Sequence, residues 1–160
     1  IEAGALAPKR IAVEPAELVD DAIQMASATV RAQLTNKDVS SGLPSILVDP
    51  SLAKSALINV LENAAKFSAS SEIELRAFRK DRFVAFEVLD SGPGFSEEAL
   101  ANLFEKFSRG QESDGRAPGV GLGLAIAKGF LTAQGGSIIA ANRTDGRGAS
   151  VTLLLPVAEG

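Results

Sequence analysis

Asn59-Val60-Leu61-Glu62-Asn63-Ala64-Ala65-Lys66-Phe67 is the stretch on which the reading of the chain turns. On a helical wheel advancing about 100° per residue, Asn59, Asn63 and Lys66 fall within roughly 60° of one another, with Phe67 at one edge. Leu57, Val60, Leu61 and Ala64 occupy a separate wedge. Such a helix buries one side in a core and offers a polar row on the other. Asparagine is a poor interior helix former because its carboxamide competes for backbone hydrogen bonds, so two in one row need compensation. Two readings stay open at this point. The row is a solvated polar face, or it is a magnesium–phosphate site. In the second, a carboxamide oxygen serves as a hard, neutral ligand and Lys66 meets phosphate as a point cation.

Upstream of this stretch, Asp49-Pro50 is a helix start, aspartate capping and proline in the first turn, so the helix is predicted over 50–67. Ser45 to Val48 reads as a buried strand and Ile11-Ala12-Val13 as a short one. Glu14-Pro15 opens an earlier helix. Leu18, Ala22, Met25, Ala26 and Val30 recur along it at helical spacing, which carries it to about Gln33. Thr35 to Ser41 is polar. Pro8 and Gly4 interrupt any helix in residues 1–10.

Downstream, Ile73, Leu75 and Ala77 alternate with Glu72, Glu74 and Arg76, and Phe83 to Leu89 returns, which predicts an antiparallel hairpin. Asp90-Ser91-Gly92-Pro93-Gly94 is a loop, and a short helix begins at Ser96-Glu97-Glu98. Residues 108–119 are glycine-bearing and charged, with nothing that must be buried, and are long for a loop in a compact domain. Leu122 to Leu131 is an apolar helix. Ser137 to Ala141 and Ala149 to Leu155 make a final hairpin. The coarse order is β-α-β-β-α-β-β-α-α-β-β, the short early strands being the least defined. Hairpins dominate, so the expected class is α+β: a two-layer α/β sandwich, its mixed, largely antiparallel sheet covered by helices on one face.

Composition bounds the function. The chain has 160 residues, 46% hydrophobic and 22% charged, with a net charge of −4, which suits one globular domain. Scattered basic residues in an acidic chain argue against a nucleic-acid face. With no cysteine and no histidine, disulfide, thiolate-metal and imidazole chemistry are all absent from it. No apolar run approaches the roughly 20 residues of a membrane helix.

Three glycine-bearing segments follow the Asn59–Phe67 stretch. Asp90 ends a strand, where a carboxylate can accept a hydrogen bond from an exocyclic amine such as adenine N6, while Gly92 and Gly94 let the backbone approach a flat base. A plain strand-to-helix turn explains the same residues. Gly119-Val120-Gly121-Leu122-Gly123-Leu124 passes from loop into helix, so its N–H groups can face an anion. It is neither a Rossmann fingerprint nor a P-loop. Gly146-Arg147-Gly148 is a late turn. Phe104 and Phe107 share a helical face before the 108–119 loop; such pairs are usually core, but here they can anchor a lid whose Arg109 swings towards phosphate.

Taken in order, LINVLENAAKF resembles an N box, DSGPGF a first glycine box, FEKFSRG an F box, GVGLGLAIAK a second glycine box and GRGAS a third glycine turn. Together they are similar to the catalytic, ATP-binding domain of bacterial sensor histidine kinases, in the superfamily that also holds DNA gyrase B and MutL. The resemblance spans roughly residues 11–156. It implies a Bergerat-type ATP-binding sandwich over 11–160, with a lid at about 106–119. Residues 1–10 would then be the remnant of an upstream dimerisation and phosphoacceptor helix or linker.

Carried over by motif position, Asn63 would ligate Mg2+ and Asn59 would lie over the phosphates of ATP. Lys66 would contact phosphate, and Phe67 would pack near base or ribose. Asp90 would hold adenine N6, with Gly92 and Gly94 shaping its pocket. Phe104 and Phe107 would flank the nucleotide, with Arg109 catalytic beside Asn59 and Lys66. Gly119, Gly121, Leu122, Gly123 and Leu124 would form the phosphate side.

The resemblance also implies γ-phosphoryl transfer to a histidine, and this chain holds none. The implied partners are therefore its own dimerisation and phosphoacceptor domain and a response regulator. The implied setting is the cytoplasmic portion of an inner-membrane sensor, with no direct membrane contact by this stretch. Hydrolysing relatives carry a glutamate four residues before the magnesium asparagine, where this chain has Asn59; a carboxamide cannot take water's proton. Glu62 points about 100° away from Asn63 and is not assigned that task. The alternatives are a hydrolysing ATPase of the gyrase or MutL type, a serine kinase of the anti-sigma type, and a non-catalytic nucleotide-binding module.

Overall fold

The computed structural model describes residues 9–68, 72–102, 120–144 and 148–158. Its strands are β1 (Ile11–Val13), β2 (Leu34–Val39), β3 (Ile46–Val48), β4 (Ile73–Lys80), β5 (Phe83–Asp90), β6 (Ser137–Asn142) and β7 (Ala149–Pro156). Its helices are α1 (Pro15–Met25), α2 (Ala28–Gln33), α3 (Pro50–Ser68), α4 (Glu97–Asn102) and α5 (Val120–Thr132). A five-stranded sheet runs in the order β2-β4-β5-β7-β6, and β1 and β3 make a separate antiparallel pair. Only β2 against β4 is parallel in the larger sheet. The expected class, a mixed and largely antiparallel sheet under helices, is therefore what the chain builds.

Alternation decides which sheet face is covered. Ile73, Leu75 and Ala77 of β4 are fully buried, as are Val84, Phe86 and Val88 of β5 and Leu153 and Leu155 of β7. On them lies α3, whose Leu57, Val60 and Leu61 are buried, with α1 and α5 packed against it. Each large apolar side chain so removed from water contributes about 1.5–3 kcal/mol, which makes α3 the centre of the helical layer.

The start of α3 is fixed as the Asp49-Pro50 signature predicts. Asp49 Oδ1 accepts from the Ser51 and Leu52 amides at 3.0 and 3.3 Å, and Oδ2 accepts from the Lys9 amide at 2.9 Å. The Lys9 amide, then those of Leu52 and Ser51, hold the Asp49 carboxyl below the ordinary carboxylate range against an opposing effect of burial. The Asp49 amide in turn donates to Oε1 of the fully buried Gln134, whose Nε2 donates to the Phe130 carbonyl at 2.9 Å. One carboxamide thus ties the end of α5 to the start of α3.

Three features differ from the sequence reading. The helix expected from Pro15 to about Gln33 is two helices, broken at Ala26-Ser27. Ser27 caps α2, its hydroxyl accepting from the Val30 amide at 3.3 Å. Its own amide and hydroxyl donate to the Glu62 carboxylate at 2.8 and 2.9 Å. A helix running through Ser27 would have used that amide internally. The polar stretch after Gln33 is β2, an edge strand whose Thr35, Asn36, Lys37 and Asp38 are exposed. Charged, solvent-facing residues are how a sheet edge resists pairing with other chains. The helix predicted from Leu122 begins at Val120, so Gly121 and Gly123 stand within its first turn.

Candidate functional site

The loop after β5 is held from several sides. Asp90 is the last residue of β5 and pairs with Ile73, so its side chain faces the helices, where it is 4% exposed. Its Oδ1 accepts from the Gly92 amide at 2.9 Å, closing a tight turn, and from the Ala149 amide at 3.2 Å. The Asp90 carbonyl accepts from Arg143 Nη1 at 3.3 Å. Gly148 lies against the same carbonyl, with φ at +121°; a Cβ on it would stand 2.0 Å from the Asp90 oxygen. No other residue fits that conformation and that approach. At the far end of the loop, Asn142 Oδ1 accepts from the Phe95 amide at 2.7 Å and its Nδ2 donates to the Phe95 carbonyl at 2.8 Å.

The polar row on α3 is built on the opposite plan. Asn63 is 8% exposed, yet its carboxamide makes no hydrogen bond among the described residues. Its carboxamide atoms are not closed off from solvent, Gln33 Oε1 being the buried side-chain polar atom left without a partner among the described residues, so a ligand can reach them. Asn59, half-buried, and Lys66, exposed, also make no side-chain hydrogen bond or ion pair among the described residues. The neighbouring carboxylate of Glu62 is engaged by Ser27 at the start of α2. Among the described residues no three His, Cys, Asp or Glu side chains cluster as a metal site. A magnesium ion here would rest on the carboxamide oxygen of Asn63 and on oxygens brought by its own ligand, which fits a cation that takes few protein ligands beside a polyphosphate.

The helix α3, which carries the row, packs against both β5, which ends at Asp90, and α5. The sequence matches the profile of the histidine kinase-, DNA gyrase B- and HSP90-like ATPase family over residues 48–159. The chain belongs to that family. Among curated proteins it is 38% identical over 132 residues to the sensor protein KdpD of Clostridium acetobutylicum, covering 81% of this chain and 15% of that one. It is likewise 38% identical over 141 residues to KdpD of Escherichia coli, covering 88% and 15%. Full-length ShkA, solved in complex with AMPPNP, superposes with a TM-score of 0.77 at 29% identity, covering 96% of this chain and 32% of ShkA. The chain thus spans a small fraction of the curated relatives it matches. Its fold and kinship are those of the ATP-binding catalytic domain of a two-component sensor kinase.

Within this ATPase-family domain the predicted residues divide by what the structure describes. Asn59, Asn63, Lys66, Asp90, Gly92, Gly94 and Leu124 are placed in full. Gly92 is buried and Gly94 has φ of +82°. Leu124 is 1% exposed in the core, so its main chain is what it can turn to a ligand. Phe67, Gly121, Leu122 and Gly123 lie in helix backbone, their side chains outside the described residues. Phe104, Phe107, Arg109, Gly119, the segment at about 106–119 and residues 1–8 lie outside the described residues altogether.

The sequence reading missed Asn142 and Arg143. Asn142 continues the alternation of Ile138 and Ala140 along β6 as an exposed carboxamide at the strand's end. That was the available signal.

Proposed function

We propose that this domain binds Mg-ATP and presents its γ-phosphate to a histidine imidazole outside the chain, as the catalytic part of a sensor histidine kinase. The observation that supports it most is the α3 row: Asn59, Asn63 and Lys66 on one side of one helix, with no protein partner among the described residues, although Asn63 is nearly buried. The residue is packed at its base while its unpaired carboxamide atoms stay open to an incoming ligand.

In this reading Asp90 accepts from adenine N6, and Gly92 and Gly94 leave room for the base. Lys66 meets phosphate charge, and Asn59 lies over the phosphates without a base for water. When bound at Asn63, magnesium supplies neutralisation of charge on the phosphate oxygens. Arg109, Phe104 and Phe107, with the lid at about 106–119, complete the proposal on the nucleotide's open side. Catalysis is then mostly positioning and electrostatics, since phosphoryl transfer leaves little covalent work for the protein. The acceptor belongs to the dimerisation and phosphoacceptor domain of the same polypeptide, residues 1–10 leading back towards it. The phosphate passes on to a response regulator. No nucleic acid is involved, and the domain works in the cytoplasm. No helix of the described residues is long and apolar enough to cross a membrane.

Asn59→Glu tests the reading. A carboxylate four residues before Asn63 restores a general base, and general-base assistance is worth about 10²–10⁴-fold. ATP hydrolysis by the variant should rise by about a hundredfold over the parent in a steady-state phosphate-release assay, the low end of that range. No rise at all, with Mg-ATP still bound, would remove the explanation of Asn59.

A further inference from the structure

We propose that Asn142 is a positioning residue that sets base specificity through Asp90; this rests on the reading of Asp90 as the adenine-binding group. The four residues Ser91–Gly94 span from Asp90 to Phe95, and both ends of that span are held by the C-terminal hairpin. Asp90 is held by the Ala149 amide and by the close approach of Gly148. Phe95 is held by Asn142, which engages its amide and its carbonyl at 2.7 and 2.8 Å. One carboxamide engages both main-chain polar groups of one residue, as a neighbouring strand would.

Gly94 makes the contact possible. A Cβ at Gly94 would stand 2.7 Å from Asn142 Oδ1, so any larger residue there displaces the clamp. The same hairpin sends Arg143 to the Asp90 carbonyl at 3.3 Å, so neighbouring residues of one strand end fix the entry and the exit of the loop. Phe95 is itself 6% exposed in the core, so the clamped residue cannot drift without opening the packing beneath it. A carboxylate distinguishes an amine from a carbonyl only where the base is kept in one plane and register. With the loop exit loosened, Asp90 keeps its charge and loses its aim.

The test compares ATP with inosine triphosphate, in which a carbonyl replaces the C6 amine, by calorimetry with magnesium on this chain. The expected result for Asn142→Ala is ATP affinity lower by about threefold to thirtyfold, the range of one or two lost hydrogen bonds. Inosine triphosphate should be nearly unaffected, so the preference for ATP falls. Asn142→Asp keeps the acceptor for the Phe95 amide and loses the donor. It should fall between, and it serves if the alanine variant does not fold. Gln134→Ala, which loosens α3 from α5 away from the loop, should lower the melting temperature and leave the preference intact.

Two results overturn the proposal, and they differ. If Asp90→Ala abolishes the preference while Asn142→Ala and Asn142→Asp leave it unchanged, the positioning role fails alone. If Asp90→Ala leaves the preference unchanged, the adenine reading fails and takes the proposal with it. A fall in preference for Gln134→Ala equal to that for Asn142→Ala also counts against it, because general loosening would then suffice.

Discussion

The Asp90–Phe95 loop and the α3 row are built on opposite plans. Around the loop, a carboxylate, a carboxamide, a guanidinium and three main-chain amides close on one another within the protein. Along α3, Asn59, Asn63 and Lys66 bond to nothing described. The loop is finished before any ligand arrives; the row is left for a ligand to finish. Reading a base requires fixed geometry, because discrimination comes from hydrogen bonds that an analogue leaves unmade. Neutralising a flexible polyphosphate requires charge and dipoles that can meet it, and any partner within the protein would compete.

The largest expected break in this contrast is at Gly148. A Cβ would overlap the Asp90 carbonyl, and φ of +121° is closed to other residues. Gly148→Ala should therefore cost about 2–4 kcal/mol of stability, overpacking and strain together, read from urea unfolding. A variant as stable as the parent would mean that the loop is less finished than the geometry implies.

The converse substitution is Asn63→Ala. With no hydrogen bond to lose, it should change stability by no more than about 1 kcal/mol. Mg-ATP affinity should drop on the order of tenfold to a hundredfold, the worth of a charge-assisted contact. A large loss of stability in the absence of nucleotide would show that Asn63 serves the fold instead.

The smallest expected effect tests whether α3 itself is loose. Asp49 caps it, and Asp49→Ala should cost about 1 kcal/mol at neutral pH. The folded-state carboxyl lies below the usual range. Its contribution is therefore fully present above the unfolded value, about pH 4, and is lost as pH falls through the folded value. The gap between parent and variant should narrow over that window in thermal unfolding followed from pH 6 downwards. A gap that holds constant would assign the cap's worth to packing.

Local pattern made most of the sheet legible. Ile73, Leu75 and Ala77 alternate because one face of β4 is covered, and Asp49-Pro50 names a helix start through chemistry within three residues. The break at Ser27 was not legible, because the carboxylate that holds it open is Glu62, 35 residues on. β2 was obscured because an edge strand must be polar, which is also how a loop reads. In the site, Asp90 and the α3 row were visible as odd polar residues among apolar or glycine neighbours. What steadies Asp90 was not, since the Ala149 amide is 59 residues away and Asn142 meets Phe95 across 47. Polar contacts of that span leave no periodicity behind.

The register of β5 against β7 bears on how the domain comes into being. Val84 pairs with Leu155 and Leu89 with Ser150, so a central strand waits for a neighbour that follows it by more than half a hundred residues. On a ribosome, α3 and the β4–β5 hairpin emerge first, and their polar row exists as soon as the helix packs. The Asp90–Phe95 loop is held in place only once β6 and β7 have emerged and docked. Such long-range closure is slow and comes late in folding. Nascent chains ending before β6 therefore carry the α3 row without the finished Asp90–Phe95 loop: on the proposed reading, a phosphate side without its means of choosing a nucleotide.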